Sequence, residues 1–165
     1  MSASYPPLPP ELVAFAHGGV SILVGTCSRD GVPDCVRGMG VRIWPDACHL
    51  TLIMPAKTGA QSIANLATNP RLAVTLSHIP SHKTVQVKGN VLAIRDGNAD
   101  DRALAEKYRV LLAEDLAFVG QPAANTLRLG IWPCHAIDLA IELVFAQTPG
   151  PSAGVKLPMS AEKSL

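Results

Sequence analysis

The chain has 165 residues, 48% of them hydrophobic and only 16% charged, with a formal net charge of +1. That length supports one domain with a substantial core. So balanced a charge argues against a general nucleic-acid binder, which needs a basic face, and no apolar run reaches the length of a membrane span.

The charged fraction is well below that of an ordinary soluble domain. It predicts that some surface is buried against a second subunit, as a homodimer. The N-terminus, MSASYPPLPPELVAF, lacks the basic start and apolar core of a secretory signal, so a cytoplasmic location is expected. The four cysteines, Cys27, Cys35, Cys48 and Cys134, form no CxxC pair. They read as reduced, mostly buried thiols. Cys134 and His135 are adjacent, so on a strand they point to opposite faces and make a poor pair of metal ligands. No metal site is expected.

Residues 1–10 are proline-rich and read as an extended arm. Pro10 suits the first position of a helix over 11–16, which Gly18-Gly19 stops. VSILVGTCS, over 20–28, reads as a strand, and Asp30-Gly31 as a hairpin turn. DCVRGMGVRIW, over 34–44, reads as one long strand. Its two glycines, Gly38 and Gly40, mark a bulge, a sharp bend or the close approach of a ligand.

Leu50 to Met54 is a short apolar run. Lys57-Thr58-Gly59 opens a helix with Ile63, Leu66 and Ala67 on one stripe, and Asn69-Pro70 ends it. Residues 71–77 alternate, with Leu72, Val74 and Leu76 on one face. So do 84–88, with Val85 and Val87 inward, and that strand runs on to Arg95. Ala99 to Leu116 is the longest predicted helix, striped by Leu104, Tyr108, Leu111 and Leu112, with Asp101 among its polar positions. Leu127 to Trp132 is a candidate short strand. Residues 136–147 form the last strand, with Ile137, Leu139, Ile141, Leu143 and Phe145 on one face. TPGPSAG then reads as a stiff segment that cannot continue a sheet, either loose or laid across a partner subunit. VKLPMSAEKSL reads as a solvated tail. Antiparallel strands with inserted helices suit a small, mainly β (α+β) barrel.

The stretch from 50 to 89 carries a resemblance. A strand, a basic residue opening a helix (AKT), a helix ending in Asn-Pro (IANLATNP) and a strand closing on glycine (VQVKG) follow one another. In this order they resemble the FMN-binding split-barrel family typified by pyridoxamine 5'-phosphate oxidase. The resemblance covers residues 20–89 well and the rest loosely. It implies a six-stranded antiparallel Greek-key split barrel over 20–147, one domain with an arm before it and an extension after it. It also implies a homodimer with the cofactor at the interface.

The resemblance further implies a site. Arg37 stands where the family holds the FMN phosphate, and Arg42 where it keeps a basic residue near substrate. Gly38, Met39 and Gly40 would lie along the flavin edge. Lys57 and Thr58 match the basic residue and its neighbour before the inserted helix, although Ala56 stands where the family has a second cation. Lys83 and Thr84 occupy the Arg-Gln position that begins the next strand. Thr84 is shorter than glutamine, so Gln86 is the substitute for the ring contact. The competing reading makes Arg37 a solvated strand residue, Lys83 a loop lysine and the glycines simple bends. Gln61 and Ser62 read as solvated, and Trp44 and Trp132 as core or interface. His17, His78 and His82 read as exposed loop residues, and His49 as structural.

No GxGxxG, P-loop, HExxH or GxSxG is present. A flavin brings its own redox chemistry, so no catalytic constellation is required of the protein. The expectation is an FMN-binding oxidoreductase acting on a small organic molecule, without the tryptophan and arginine of the oxidase's longer C-terminus. The alternatives are a deazaflavin or haem in the same pocket, or a non-catalytic sensing dimer.

Overall fold

The computed structural model describes residues 6–159. Residues 1–5 and 160–165, the outer parts of the expected arm and tail, lie outside the described residues. The elements are α1 (Pro10–Ala16), β1 (Ser21–Cys27), β2 (Pro33–Arg37), β3 (Val41–Ile43), β4 (His49–Pro55) and α2 (Ala60–Thr68). They continue with β5 (Arg71–Ser77), β6 (Thr84–Asp96), α3 (Ala99–Phe118), α4 (Ala123–Leu127) and β7 (Cys134–Ala146). The strands form one antiparallel sheet in the order β2-β1-β5-β6-β7-β4-β3. No helix among the described residues is long and apolar enough to cross a membrane.

Seven strands stand where six were expected, because the stretch over 34–44 is two strands. Gly38 has no room for a side chain: a Cβ there would lie 2.5 Å from Ile22 Cγ2 and 3.0 Å from Leu52 Cδ1. Gly40 has φ +155°, outside the strand region. At this link the backbone changes partner. The Gly38 amide donates to the Ile22 carbonyl of β1 (3.0 Å), and the Met39 amide to the Ile53 carbonyl of β4 (2.7 Å). The link thus joins the two edge strands, β2 and β3, through the chain itself, and the sheet is not closed by a continuous ladder as a barrel would be.

Alternation sets the core. Ile22 and Val24 of β1, Leu72, Val74 and Leu76 of β5, and Val85 and Val87 of β6 point inward, as their spacing predicts. The last strand departs from it. Lys88 pairs with Leu143 and Gly89 with Ile141, so Glu142 is an extra residue and the phase slips by one. Beyond the bulge Val144 is buried, while Leu143 and Phe145 are only half-buried and on the outer side.

The ends of the chain are more tied than expected. Leu8 is buried, and its amide donates to Ala47 O at 2.9 Å, so the proline arm is fastened from Leu8 onward. The TPGPSAG segment is a turn. It brings Val155, Lys156 and Leu157 back beside β7, where Ala146 N donates to Val155 O (2.9 Å) and Leu157 N to Val144 O (2.8 Å). The prolines sit in the turn, and the residues after it have their amides free to pair. Leu157 and Met159 pack on the core, which corrects the reading of this stretch as a solvated tail.

The predicted strand over 127–132 is absent. Helix α4 ends at Leu127, and the next residues run on without strand pairing. Ser62 is fully buried, not solvated. Its hydroxyl donates to Asp34 Oδ2 at 2.6 Å and accepts from Thr26 Oγ1 at 3.3 Å, while Asn65 Nδ2 donates to Thr26 Oγ1 at 3.1 Å. A polar seam thus fixes α2 onto β1 and β2. Of the four cysteines only Cys134 is buried, and Cys35 is exposed, because the small thiol follows the alternation of its strand.

Candidate functional site

Strand pairing brings four of the anticipated residues onto one outer face. Arg37 and Cys35 alternate outward from the buried Val36. Arg37 Nη1 donates to Ser21 Oγ at 3.1 Å. Ser21 pairs with Ser77, and Ser77 with Thr84. Thr84 Oγ1 donates to Ser77 Oγ at 3.0 Å. Two residues along the same face, Gln86 Nε2 donates to Thr75 Oγ1 at 3.0 Å. A guanidinium, a run of hydroxyls and an amide therefore lie across β2, β1, β5 and β6. The C-terminal turn borders them, since Thr148 Oγ1 accepts from the Thr84 amide at 3.0 Å. Lys83 is exposed at the end of the row, with its Nζ 5.0 Å from the centroid of Phe15. The Tyr108 hydroxyl is buried near Arg37. Burial pushes it up to about 12, against the pull of the guanidinium.

Lys57 and Thr58 occupy the exposed turn before α2, which starts three residues after Lys57, at Ala60. No side chain caps that helix start. Lys57 and Thr58 lie off the row of hydroxyls, in the link between β4 and α2. Met39 points into the core at 3% exposure. Gly38 is pressed by Ile22 and Leu52, and a Cβ on Gly40 would lie 3.2 Å from Leu104 Cγ of α3. Packing alone explains both glycines.

Arg42 goes elsewhere. Its Nη2 stands 3.4 Å from Oδ1 of Asp101, a carboxylate with no exposed surface. Arg95 binds the same carboxylate with both terminal nitrogens. Asn98 and Asp101 cap α3 reciprocally, each side chain accepting from the other's amide at 3.0 Å. Burial raises the Asp101 carboxyl, but the bonds from Arg95 and Asn98 and the charges of Arg95 and Arg42 outweigh it, so its pKa is lowered. Sequence reasoning missed Arg95, Asp101, Ser21 and Ser77. The Asn-x-x-Asp spacing was a legible capping signal; the two serines carried none, because only cross-strand register gives them a place.

The sequence matches the family model for pyridoxamine 5'-phosphate oxidase over residues 8–129. The chain belongs to this family. Three solved structures share the family fold. One is an F420 reductase, at 18% identity over 83% of this chain and 98% of that one, with TM-score 0.57. A second is HupZ of Group A Streptococcus, at 18% identity over 89% and 99%, with TM-score 0.56. The third is a Lactobacillus delbrueckii protein provisionally assigned as a pyridoxamine 5'-phosphate oxidase, at 21% identity over 87% and 98%, with TM-score 0.52. No curated protein matches the chain. Binding of a flavin or a related cofactor fits this membership.

Proposed function

We propose that the chain binds FMN and serves as a two-electron oxidoreductase for a small organic substrate, as a homodimer in the cytoplasm. The row from Arg37 through Ser21 and Ser77 to Thr84 carries this reading. FMN offers a phosphate dianion, a ribityl chain of hydroxyls and a ring edge of alternating acceptors and donors. The donor set fits it group by group. Arg37 spends one nitrogen on Ser21 and keeps others for a phosphate, the hydroxyls suit the ribityl chain, and Gln86 suits the ring edge. Lys57 and Thr58, beside the uncapped start of α2, add charge and amide donors. Lys83 adds a further cation and Arg42 faces the substrate, while the buried link Gly38 to Gly40, expected along the ring, is taken up by packing and leaves the ring edge to Gln86. The flavin supplies the electron chemistry; these residues bind and orient it.

The dimer rests on exposed apolar side chains. Phe118 is 80% exposed, and Val110, Val119, Leu127 and Leu129 are exposed around α3 and α4. Sedimentation at micromolar concentration should give twice the chain mass; a monomer rejects this part. A deazaflavin is the second reading, favoured by the fold shared with the F420 reductase. Haem, or a non-catalytic sensor, is a further alternative.

The absorption spectrum of the purified protein separates these readings. Flavin bands are expected; a Soret band, a deazaflavin spectrum or no band redirects the assignment. Fluorescence titration then tests the residues. Arg37→Ala and Lys57→Ala should each weaken FMN binding by about 1.5–3 kcal/mol, the worth of a bond to a charged group. Unchanged affinity in both variants sinks the site.

A further inference from the structure

A separate concavity of about 340 Å³ opens over β3, β4 and β7, lined by Arg42, Trp44, Thr51, Arg95 and Asp138 among others. Its floor is in register: Arg42 pairs with Thr51, and Thr51 with Asp138. Thr51 is buried, and its hydroxyl is bonded both as acceptor and as donor. It accepts from Trp44 Nε1 at 2.9 Å and donates to Asp138 Oδ1 at 2.8 Å.

The charges around this floor balance in number but not in pairing. Asp101 is already satisfied by both nitrogens of Arg95 and by the Asn98 amide. Arg42 reaches it only at 3.4 Å, and the Arg42 side chain is 42% exposed. Arg95 therefore suffices to hold α3 to the sheet, and Arg42 is surplus to that role. On the other side of Thr51, Asp138 makes its one side-chain bond to Thr51 and feels the charge of Arg95, with no direct ion pair among the described residues. An under-used cation and an anion without a direct ion pair thus stand two strands apart, roughly 10 Å between backbones. Between them is a space that neither side chain fills. The indole of Trp44 forms an apolar wall, held in place by its bond to Thr51.

We propose that this concavity binds a small amino-acid-like zwitterion. Its carboxylate lies on the free donors of Arg42, its ammonium on Asp138, and its apolar body against Trp44. Each end makes a charge-assisted bond that a singly charged ligand cannot match at both ends. The inference deepens the proposed function, resting on it only in taking Arg42 as the substrate side; the binding itself requires no flavin.

The test is calorimetry on the full chain with three probes: phenylalanine, hydrocinnamate (no amine) and phenethylamine (no carboxylate). Phenylalanine should bind tighter than either of the others by roughly tenfold or more. Arg42→Gln should remove its advantage over phenethylamine. Asp138→Asn, which keeps the acceptor for Thr51, should remove its advantage over hydrocinnamate. The inference is overturned if wild type shows no heat with millimolar phenylalanine, or if the three probes bind alike. It is overturned equally if both variants bind phenylalanine as wild type does. The comparison within wild type stands even where a variant fails to fold. FMN titration of the same samples separates the two readings. Protein that takes FMN but not phenylalanine overturns this inference alone. Protein that takes phenylalanine but not FMN supports it and ends the cofactor reading.

Discussion

The amide of Leu157 donates to the carbonyl of Val144 across 2.8 Å. This bond and its neighbour from Ala146 to Val155 extend the sheet beyond the point where β4 stops, after His49 pairs with Ala140. They also give the turn over 148–154 a structural purpose, since it returns the chain to an edge of β7 that would otherwise carry unpaired backbone groups. Truncation after Gly154 should therefore lower the thermal midpoint by several degrees, nearly as much as truncation after Gln147. Melting curves of both forms check this. A midpoint unchanged by removal of 155–165 would show the pairing to be dispensable.

Gly89 sits opposite the bulge of β7, and a Cβ there would lie 1.9 Å from the Ala140 carbonyl oxygen. Two backbones cannot give way as a flexible side chain can. Gly89→Ala should destabilise by about 3 kcal/mol, at the upper end of ordinary overpacking. Urea unfolding measures it, and a cost below about 1 kcal/mol would mean that the bulge relaxes freely.

His17 as a whole residue is exposed, as its loop position predicts, but the ring edge that carries Nε2 is turned inward and partly desolvated, where it accepts from the Ile43 amide at 3.0 Å. Only a neutral ring accepts there. Burial, and then the charge of Lys107, hold its pKa below the ordinary 6.5. With the folded value depressed, the unfolded chain binds the proton more readily. The contribution is therefore full above the ordinary value and is lost as pH falls through the folded one. His17→Ala should cost about 1 kcal/mol near pH 8 and clearly less near pH 5. Urea unfolding at both pH values is the measurement; a cost independent of pH rejects the tautomer argument.

The thiols should divide by environment. Burial pushes Cys134 up to about 11, and its Sγ donates to Ile131 O. Cys35 is exposed on β2. An aromatic disulfide reagent at neutral pH should label Cys35 within the fast phase and Cys134 only on unfolding. Loss of the fast phase in Cys35→Ser confirms the order. Rapid labelling of Cys134 in the folded chain contradicts it.

Local pattern determined a good part of this protein. The alternation at Leu72, Val74 and Leu76 placed β5, and the same period at Val85 and Val87 placed the start of β6, because a half-buried strand must bury every second residue. Asn69-Pro70 fixed the end of α2, because proline restricts the residue before it. The outward phase of Thr84 and Gln86 was equally legible, since it depends on the same two-residue period.

Tertiary structure decided the rest. Whether Gly38 and Gly40 bend or break a strand depends on Ile22, Leu52 and Leu104, which are distant in the chain. The slip at Glu142 comes from the register of β7 against β6, so no reading of β7 alone could place Phe145 outside. Ser21 joins Arg37, and Asp101 joins Arg42 and Arg95, only because strands and a helix far apart in sequence meet. Periodicity reports which way a side chain points. Which partner it meets is set by cross-strand register and helix docking, and those are properties of the folded chain.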